Sequence, residues 1–298
     1  MAASDPAYAL ALLALDGVGR ATAHRLLAHF PTPEALHDAP REQILLRLRG
    51  LPRAADLVER LATGGLDAPL AKAQAEAAAF AERRMVLLTP GHPDWPTGLD
   101  RLTASERPVV LYAYGNTAVL NGPSADLLAR APIPAAPYEA AQTLARRLMD
   151  AGAAVVSALR PGFDVVMHKL AAGAGRPGIA VAPSGLGRVD GSVRPGATAL
   201  VRAGGVMLSP FPMEHGPFEH DDRERALVQA ALARAVAAFA PADGSAELRA
   251  LKWAAGAKRP AFIDPGPEPG VPPTGSIVLD GPADLDVVIA AATRADAA

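Results

Sequence analysis

The sequence contains no cysteine, few aromatic residues and no long uninterrupted apolar run. None of the 298 residues is cysteine, which excludes disulfides, thiolate catalysis and cysteine-ligated zinc and fits a reducing compartment. No stretch reaches the roughly 18 apolar residues that indicate a membrane helix. The N-terminus shows no basic segment ahead of an apolar one, so we expect no signal peptide, no membrane partner and a cytoplasmic location.

Charge of one sign is also missing. The formal net charge is -2, so the chain lacks the global basic character of many nucleic-acid-binding proteins, and any such binding requires a local patch. Apolar residues make up 50% of the chain, which is ample for a core. The length is typical of one large domain with a smaller one.

The hydrophobic pattern changes near Met85. Before it, residues 7 to about 80 show helical spacing. After it, short apolar strands alternate with amphipathic helices, which favours a mostly parallel sheet covered on both faces. We therefore predict an α/β fold with a Rossmann-like, doubly wound sheet at 83–268, preceded by an all-helical domain at 1–82 of the helix-hairpin-helix or SAM-like type. A Pro/Gly-rich extension with a short strand and a helix follows at 269–298.

The segment 150–183 reads as a strand, a polar loop, a helix and a second strand. The first strand ends at Ser157, and Arg160 and Gly162 follow in the loop. Ligands of open parallel sheets bind outside such strand ends, and amides that open the next helix suit an anion. Asp164 has the position of a helix N-cap. His168 lies without triad partners or metal-ligand spacing, so a structural hydrogen bond is a more typical role for it than catalysis.

Three further motifs each allow two interpretations. The turn Gly17-Val18-Gly19 with Arg20 matches a helix-hairpin-helix, which either holds a DNA phosphate or is purely structural. Arg223 and Arg225 precede a helix and either bind phosphates or balance neighbouring acids. Ser245 either caps a helix or contributes to a phosphate site.

Five segments, taken in order, resemble the DNA-processing protein A family, also called Smf. They are LLTPGHPDWPTGLDRL with RPVVLYAYGN, then LARRLMDAGAAVVSALRPGFDVVMHKLA, GIAVAPSGLGR, GGVMLSPFPMEHGPF and AFIDPG. The resemblance extends over about residues 8–265. It implies a non-enzymatic, cofactor-free homodimer that binds single-stranded DNA in natural transformation (competence) and recombination. Such a protein protects incoming strands and loads a RecA-type recombinase.

Together, the resemblance and the motifs predict a set of nucleic-acid contacts around the strand ends: Arg130, Ser157, Arg160, Gly162, His168, Lys169, Arg223, Arg225 and Ser245. Phe163 or Phe218 could stack on a base. Two alternatives stay open: a Rossmann-like protein that binds or processes a nucleotide, and a degenerate paralogue that keeps only protein contacts. An apolar helix at 226–233, or one at 248–257 with Trp253, could supply a dimer interface.

Overall fold

A computed structural model describes residues 4–267 and 270–294 of the chain. These residues divide into two compact units, one formed by 1–95 and 102–111 and the other by 96–101 and 112–298. The predicted boundary between 268 and 269 lies outside the described residues. Across the described part, every helix falls short of the length and hydropathy that a bilayer crossing requires.

The first unit is mainly helical, as its sequence predicts. Asp5 caps the first helix by accepting a hydrogen bond from the amide of Ala7 at 2.8 Å, and Thr32 caps the third in the same way through Ala35. Such caps satisfy amides that have no partner inside the helix. The elements are α1 (Pro6–Leu13), α2 (Arg20–His29), α3 (Pro33–His37), α4 (Arg41–Arg47), α5 (Ala54–Ala62), α6 (Asp67–Glu82) and β1 (Met85–Leu88).

The second unit alternates strands and helices, which confirms the α/β prediction. Its elements are β2 (Leu111–Gly115, whose first residue belongs to the first unit), β3 (Ser124–Leu128), α7 (Ala135–Asp150), β4 (Ala154–Ala158), α8 (Phe163–Gly173), β5 (Gly178–Val181), α9 (Arg194–Arg202), β6 (Val206–Ser209), α10 (Asp221–Leu232), β7 (Ala235–Phe239), α11 (Ala246–Gly256), β8 (Ala261–Asp264), β9 (Ile277–Val278) and α12 (Leu285–Thr293). Short 3-10 helices lie at Thr97–Arg101, Thr117–Asn121, Leu186–Arg188 and Pro282–Asp284.

The strands of this unit follow the order β2-β6-β5-β4-β3-β7-β8-β9. The neighbours from β6 to β9 are parallel, whereas β2 pairs antiparallel with β6. The chain runs from β3 toward β4 on one side of the sheet and from β7 toward β8 on the other. The adjacent strands β3 and β7 therefore mark the point where the winding direction reverses, which is where a doubly wound sheet opens a crevice.

Side chains alternate between two packed layers because strand residues have a period of two. Ala125 and Leu127 of β3 join the core formed with α7, α8, α9 and α12. Leu128 joins the core formed with α10 and α11. Asp126 shares the parity of Leu128 and so faces α10, although it lies in the middle of a buried strand. This places one carboxyl group inside the apolar layer beneath the crevice.

One expectation about the helices considered for a dimer interface requires correction. The helix at 226–233 does not offer a free apolar face, since nearly all of its side chains are buried against the sheet and α11. Trp253 on α11 is partly buried against the same core.

The loop after β5 approaches the loop after β6 closely. The amide of Gly185 donates to the carbonyl of His215 at 2.9 Å, and that of Gly187 to Met213 at 3.0 Å. A Cβ atom at Gly185 would lie 2.0 Å from the carbonyl oxygen of Pro212 and 2.3 Å from that of Met213. Only glycine leaves room for the two loops to pair.

Gly185→Ala is therefore expected to lower the free energy of unfolding by about 1–3 kcal/mol, the range for inserting atoms into a packed region. The measurement is the urea midpoint of the full chain. Gly173→Ala is the matched control, because a Cβ there meets nothing within 4 Å and alanine favours a helix. Equal stability of the two variants would contradict this account.

Candidate nucleic-acid interface

A polar crevice lies at the carboxyl ends of β3 and β7. It has a volume of about 790 Å³ and is formed by the loops after these strands and by the start of α10. Its lining residues are Arg130, Pro183, Pro217, Phe218, Glu219, His220, Asp222, Arg223, Asp243, Gly244, Ser245 and Ala246. Four of the predicted contacts or stacking residues, Arg130, Phe218, Arg223 and Ser245, thus share one surface.

Arg160 lies beside this crevice in a cluster of carboxylates. Its Nε donates to Asp164 at 2.9 Å and its terminal nitrogens donate to Glu247 at 3.1 Å. It also contacts Asp222 at 3.3 Å and the carbonyl of Ala129 at 3.1 Å. Only 15% of its side chain is exposed. Each nitrogen of the guanidinium already has a protein partner.

Arg225 is buried completely and begins a chain of side-chain hydrogen bonds that reaches the middle of β3. Its Nε donates to Asp222 at 3.2 Å, and a terminal nitrogen donates to Gln229. Gln229 then donates to Asp126. With an exposure of 0%, Arg225 forms part of the floor of the site and presents no charge at its surface.

Arg130 is the most exposed arginine of the cluster. Its side chain is 54% exposed, and it forms ion pairs with Asp222 and, at 3.7 Å, with Glu247. The same two carboxylates also serve Arg160 and Arg225. The three arginines converge, and they converge on acids.

Burial and charge shift the pKa values within this network. Burial, opposed in part by the hydrogen bond from Gln229, raises the pKa of Asp126 well above its usual range. Burial and the nearby Arg160 lower the pKa of Arg225 to about 10. Burial works against ionisation of Glu247, but Arg160 and Arg225 outweigh it and lower the pKa of that carboxyl. The carboxylates of Asp164, Asp222 and Glu247 contact the arginines of this network.

The start of α8 differs from its expected capping arrangement. Gly162 precedes the helix with φ of 87°, in the left-handed region that favours glycine, and Asp164 lies inside the first turn. The Asp164 carboxylate accepts from Ser157 and, at 3.1 Å, from the amide of Ala158. The prediction that Asp164 caps this helix is wrong, because its side chain turns back to the end of β4.

His168 forms a structural hydrogen bond from α8 to β4. Its Nε2 donates to the carbonyl of Ala158 at 2.7 Å, and 1% of the residue is exposed. Burial lowers the pKa of this imidazole, so it is neutral at pH 7. Ser157 is buried as well, whereas Lys169 is exposed on α8 and does not line the crevice.

Aromatic and imidazole rings stack along the loop that enters α10. Phe218 and His220 are parallel, with ring centroids 5.6 Å apart and an interplanar angle of 4°. Phe218 is 54% exposed. In contrast, Phe163 is buried, with its ring edge-on to Tyr138 at 6.2 Å. Of the two phenylalanines considered for base stacking, only Phe218 presents its ring to the crevice.

The glycine turn of the helical unit connects α1 to α2. Gly17 has φ of 82°, which favours glycine, and Gly19 directly precedes α2 without a side-chain cap. The carbonyl of Asp16 accepts from Arg60 at 2.6 Å, so α5 holds the turn from one side. Gly17 and Gly19 are exposed and Arg20 is half-buried.

Within residues 4–267 and 270–294, no group of three or more His, Asp or Glu side chains is arranged to hold a metal ion.

A protein-family model described as DNA recombination-mediator protein A matches residues 86–276, which is more than half of the chain. The chain belongs to this family. No curated protein sequence gives a significant match. The matched range begins at β1 and ends just before β9, so it includes the crevice and the arginine cluster.

Solved structures of this family share the fold. The X-ray structure of DNA processing protein A from Streptococcus pneumoniae superposes with a TM-score of 0.60 at 16% identity, covering 91% of this chain and 98% of that one. DNA processing protein A from Helicobacter pylori, whose structure concerns its single-stranded DNA binding mode, gives a TM-score of 0.57 at 18% identity. It covers 69% of this chain and 96% of that one.

Asp126→Asn tests whether the buried carboxyl of this family member is neutral. A raised pKa in the folded state means that stability is greatest below the unfolded pKa of about 4 and is lost as pH rises toward the folded value. Asparagine cannot ionise and keeps an acceptor for Gln229. We expect this variant to be at least as stable as wild type at pH 7. Its stability should lack the decrease with rising pH that ionisation of Asp126 causes in wild type.

Urea unfolding of the full chain between about pH 5 and 8 provides the measurement for this linkage. Asp222→Asn is the contrasting variant, because it removes a carboxylate shared by three arginines and should be destabilising throughout. A loss of stability in Asp126→Asn as large as that in Asp222→Asn would show that Asp126 is ionised.

Proposed function

We propose that this family member is a non-enzymatic protein that binds single-stranded DNA in the crevice between β3 and β7. The observation that supports this most directly is the exposed ring of Phe218, stacked on His220, in a cleft that also contains Arg223 and the half-exposed Arg130. Bases stack on aromatic side chains at about 1–3 kcal/mol per base, whatever their sequence. Ser245 lines the same cleft.

Because many charges of the crevice are already paired, we attribute most of the affinity for single-stranded DNA to stacking and little to phosphate neutralisation. Arg223 is exposed and forms no ion pair among the described residues, but Arg130 is shared with Asp222 and Glu247. Glu219 and Asp243 add two further carboxylates to the lining. Arg160 and Arg225, both predicted as phosphate contacts, act in this proposal as the support that holds the loops of the crevice.

Phe218→Ala is expected to weaken binding of a fluorescent single-stranded oligonucleotide about 5- to 150-fold, from the loss of one stacked base. The salt dependence should stay the same, because no charge is removed. The assay is fluorescence anisotropy at several salt concentrations. Tyr114→Ala is the control, since Tyr114 is 40% exposed but lies outside the crevice.

An unchanged affinity of Phe218→Ala for the oligonucleotide would rule out the crevice as the strand-binding site. The nucleotide-binding alternative would instead be favoured if a mononucleotide displaced a bound probe at a concentration at which an unlabelled strand did not.

Membership of the family also underlies a proposed assembly and partner. We propose that the protein acts as a homodimer in transformation and recombination, where it protects the incoming strand and transfers it to a RecA-type recombinase. The buried α10 leaves the partly exposed face of α11 near Trp253 as the candidate surface among the helices considered from the sequence.

Light scattering at micromolar concentration should give the mass of a dimer. If Trp253 lies in the interface, Trp253→Ala should lower the dimer affinity and leave the melting temperature nearly unchanged. A monomer mass for wild type would contradict the dimer, and a large fall in the melting temperature of the variant would assign Trp253 to the core.

A further inference from the structure

Three exposed arginines of the helical unit start from neighbouring parts of the backbone, and none of them forms an ion pair with a carboxylate of the described residues. Arg25 on α2 donates to the carbonyl of Arg47 at 3.4 Å and to that of Arg49 at 3.2 Å. These carbonyls end α4, where the helix dipole favours a cation. The contact brings the exposed guanidinium of Arg25 next to the backbone from which the side chains of Arg47 and Arg49 start.

The side chains of Arg47 and Arg49 are exposed, and neither forms an ion pair or a side-chain hydrogen bond with any described residue. Two other exposed arginines of the same unit are paired. Arg41 contacts Glu59 at 2.7 Å, and Arg53 contacts Asp56 at 2.9 Å. We refer to Arg25, Arg47 and Arg49 as the basic patch.

We propose that the basic patch binds the phosphodiester backbone of single-stranded DNA and supplies most of the salt dependence of binding. Exposed arginines without a carboxylate partner are available to an anion, and nucleic-acid phosphates bind arginine without regard to sequence. The crevice has the opposite character, since its arginines are largely neutralised by carboxylates. The proposal rests on DNA binding by this chain but not on the crevice as its site.

The double variant Arg47→Gln/Arg49→Gln tests the basic patch. It spares Arg25, which ties α2 to the end of α4. Each phosphate neutralised on a single strand contributes about 0.7 to the slope of log affinity against log salt. The variant should therefore reduce the magnitude of that slope by about 1.4, measured by anisotropy with the full chain and a labelled homopolymer. Circular dichroism checks that the helices persist.

Arg41→Gln/Arg53→Gln is the matched control. It removes two exposed arginines from the same unit and changes the net charge equally, but both of these arginines have a carboxylate partner. Its slope should fall by less than half as much. Equal falls for the two double variants would overturn the proposal, because they would reflect net charge alone.

Phe218→Ala, measured in the same titration, separates the patch from the crevice. If Phe218→Ala binds like wild type while Arg47→Gln/Arg49→Gln loses slope, the patch assignment holds and the crevice assignment fails. If the slope of Arg47→Gln/Arg49→Gln equals that of wild type, the patch proposal is overturned. The patch, with Leu46 exposed at 60% beside it, would then be better suited to an acidic protein surface.

Discussion

The guanidinium of Arg160 connects segments of the second unit that are far apart in the sequence. It contacts Asp164 at the start of α8, Asp222 at the start of α10, Glu247 at the start of α11 and the carbonyl of Ala129 after β3. Each of these groups lies at the carboxyl edge of the sheet. Breaking a buried ion pair by removing one partner destabilises a fold by about 3–5 kcal/mol, so the loops of the crevice depend strongly on Arg160, together with Arg130 and Arg225, which also contact Asp222 and Glu247.

This dependence determines what the crevice can bind. A guanidinium has five donors in a planar fork, and those of Arg160 and Arg225 are directed mostly to protein acceptors. The surface above them keeps Arg130 in part, Arg223 and the stacked rings of Phe218 and His220. A site of this kind recognises the flat face of a base better than a row of phosphates. The basic patch has the converse composition: its arginines lack carboxylates, and no aromatic side chain is among them.

The pattern of the sequence predicts the elements well because strand and helix periodicities are local. The change near Met85, the order of strands and helices and the cap at Ser245, whose hydroxyl accepts from the amide of Leu248 at 3.1 Å, are all present. The roles of the arginines are harder to predict. The sequence around Arg225 suggests a phosphate ligand. In the structure, its contacts with Glu247 and Gln229 give it a buried, structural role instead.

The other residues of the network escaped prediction for a related reason. Asp126 lies in an apolar run, and Glu247 lies in the first turn of α11, where an acidic side chain is common. Only the pairing of β3 with β7 brings them together beneath Arg225. The one local signal was a carboxylate inside a buried strand, which is uncommon unless a partner lies opposite. The resemblance to the family implied the fold, but not this internal neutralisation of charge.

The order of the strands also has a consequence for how the chain folds. β3 at the centre of the sheet pairs with β7, which follows it by more than a hundred positions, since Ala125 is opposite Ala235. During synthesis, the carboxyl of Asp126 therefore cannot be buried against Gln229 and Arg225 until these residues have been made. All residues of the helical unit, including 102–111, are synthesised before β3 begins. Long-range pairing is slow compared with local helix formation, so one edge of β3 remains unpaired on a nascent chain until β7 emerges.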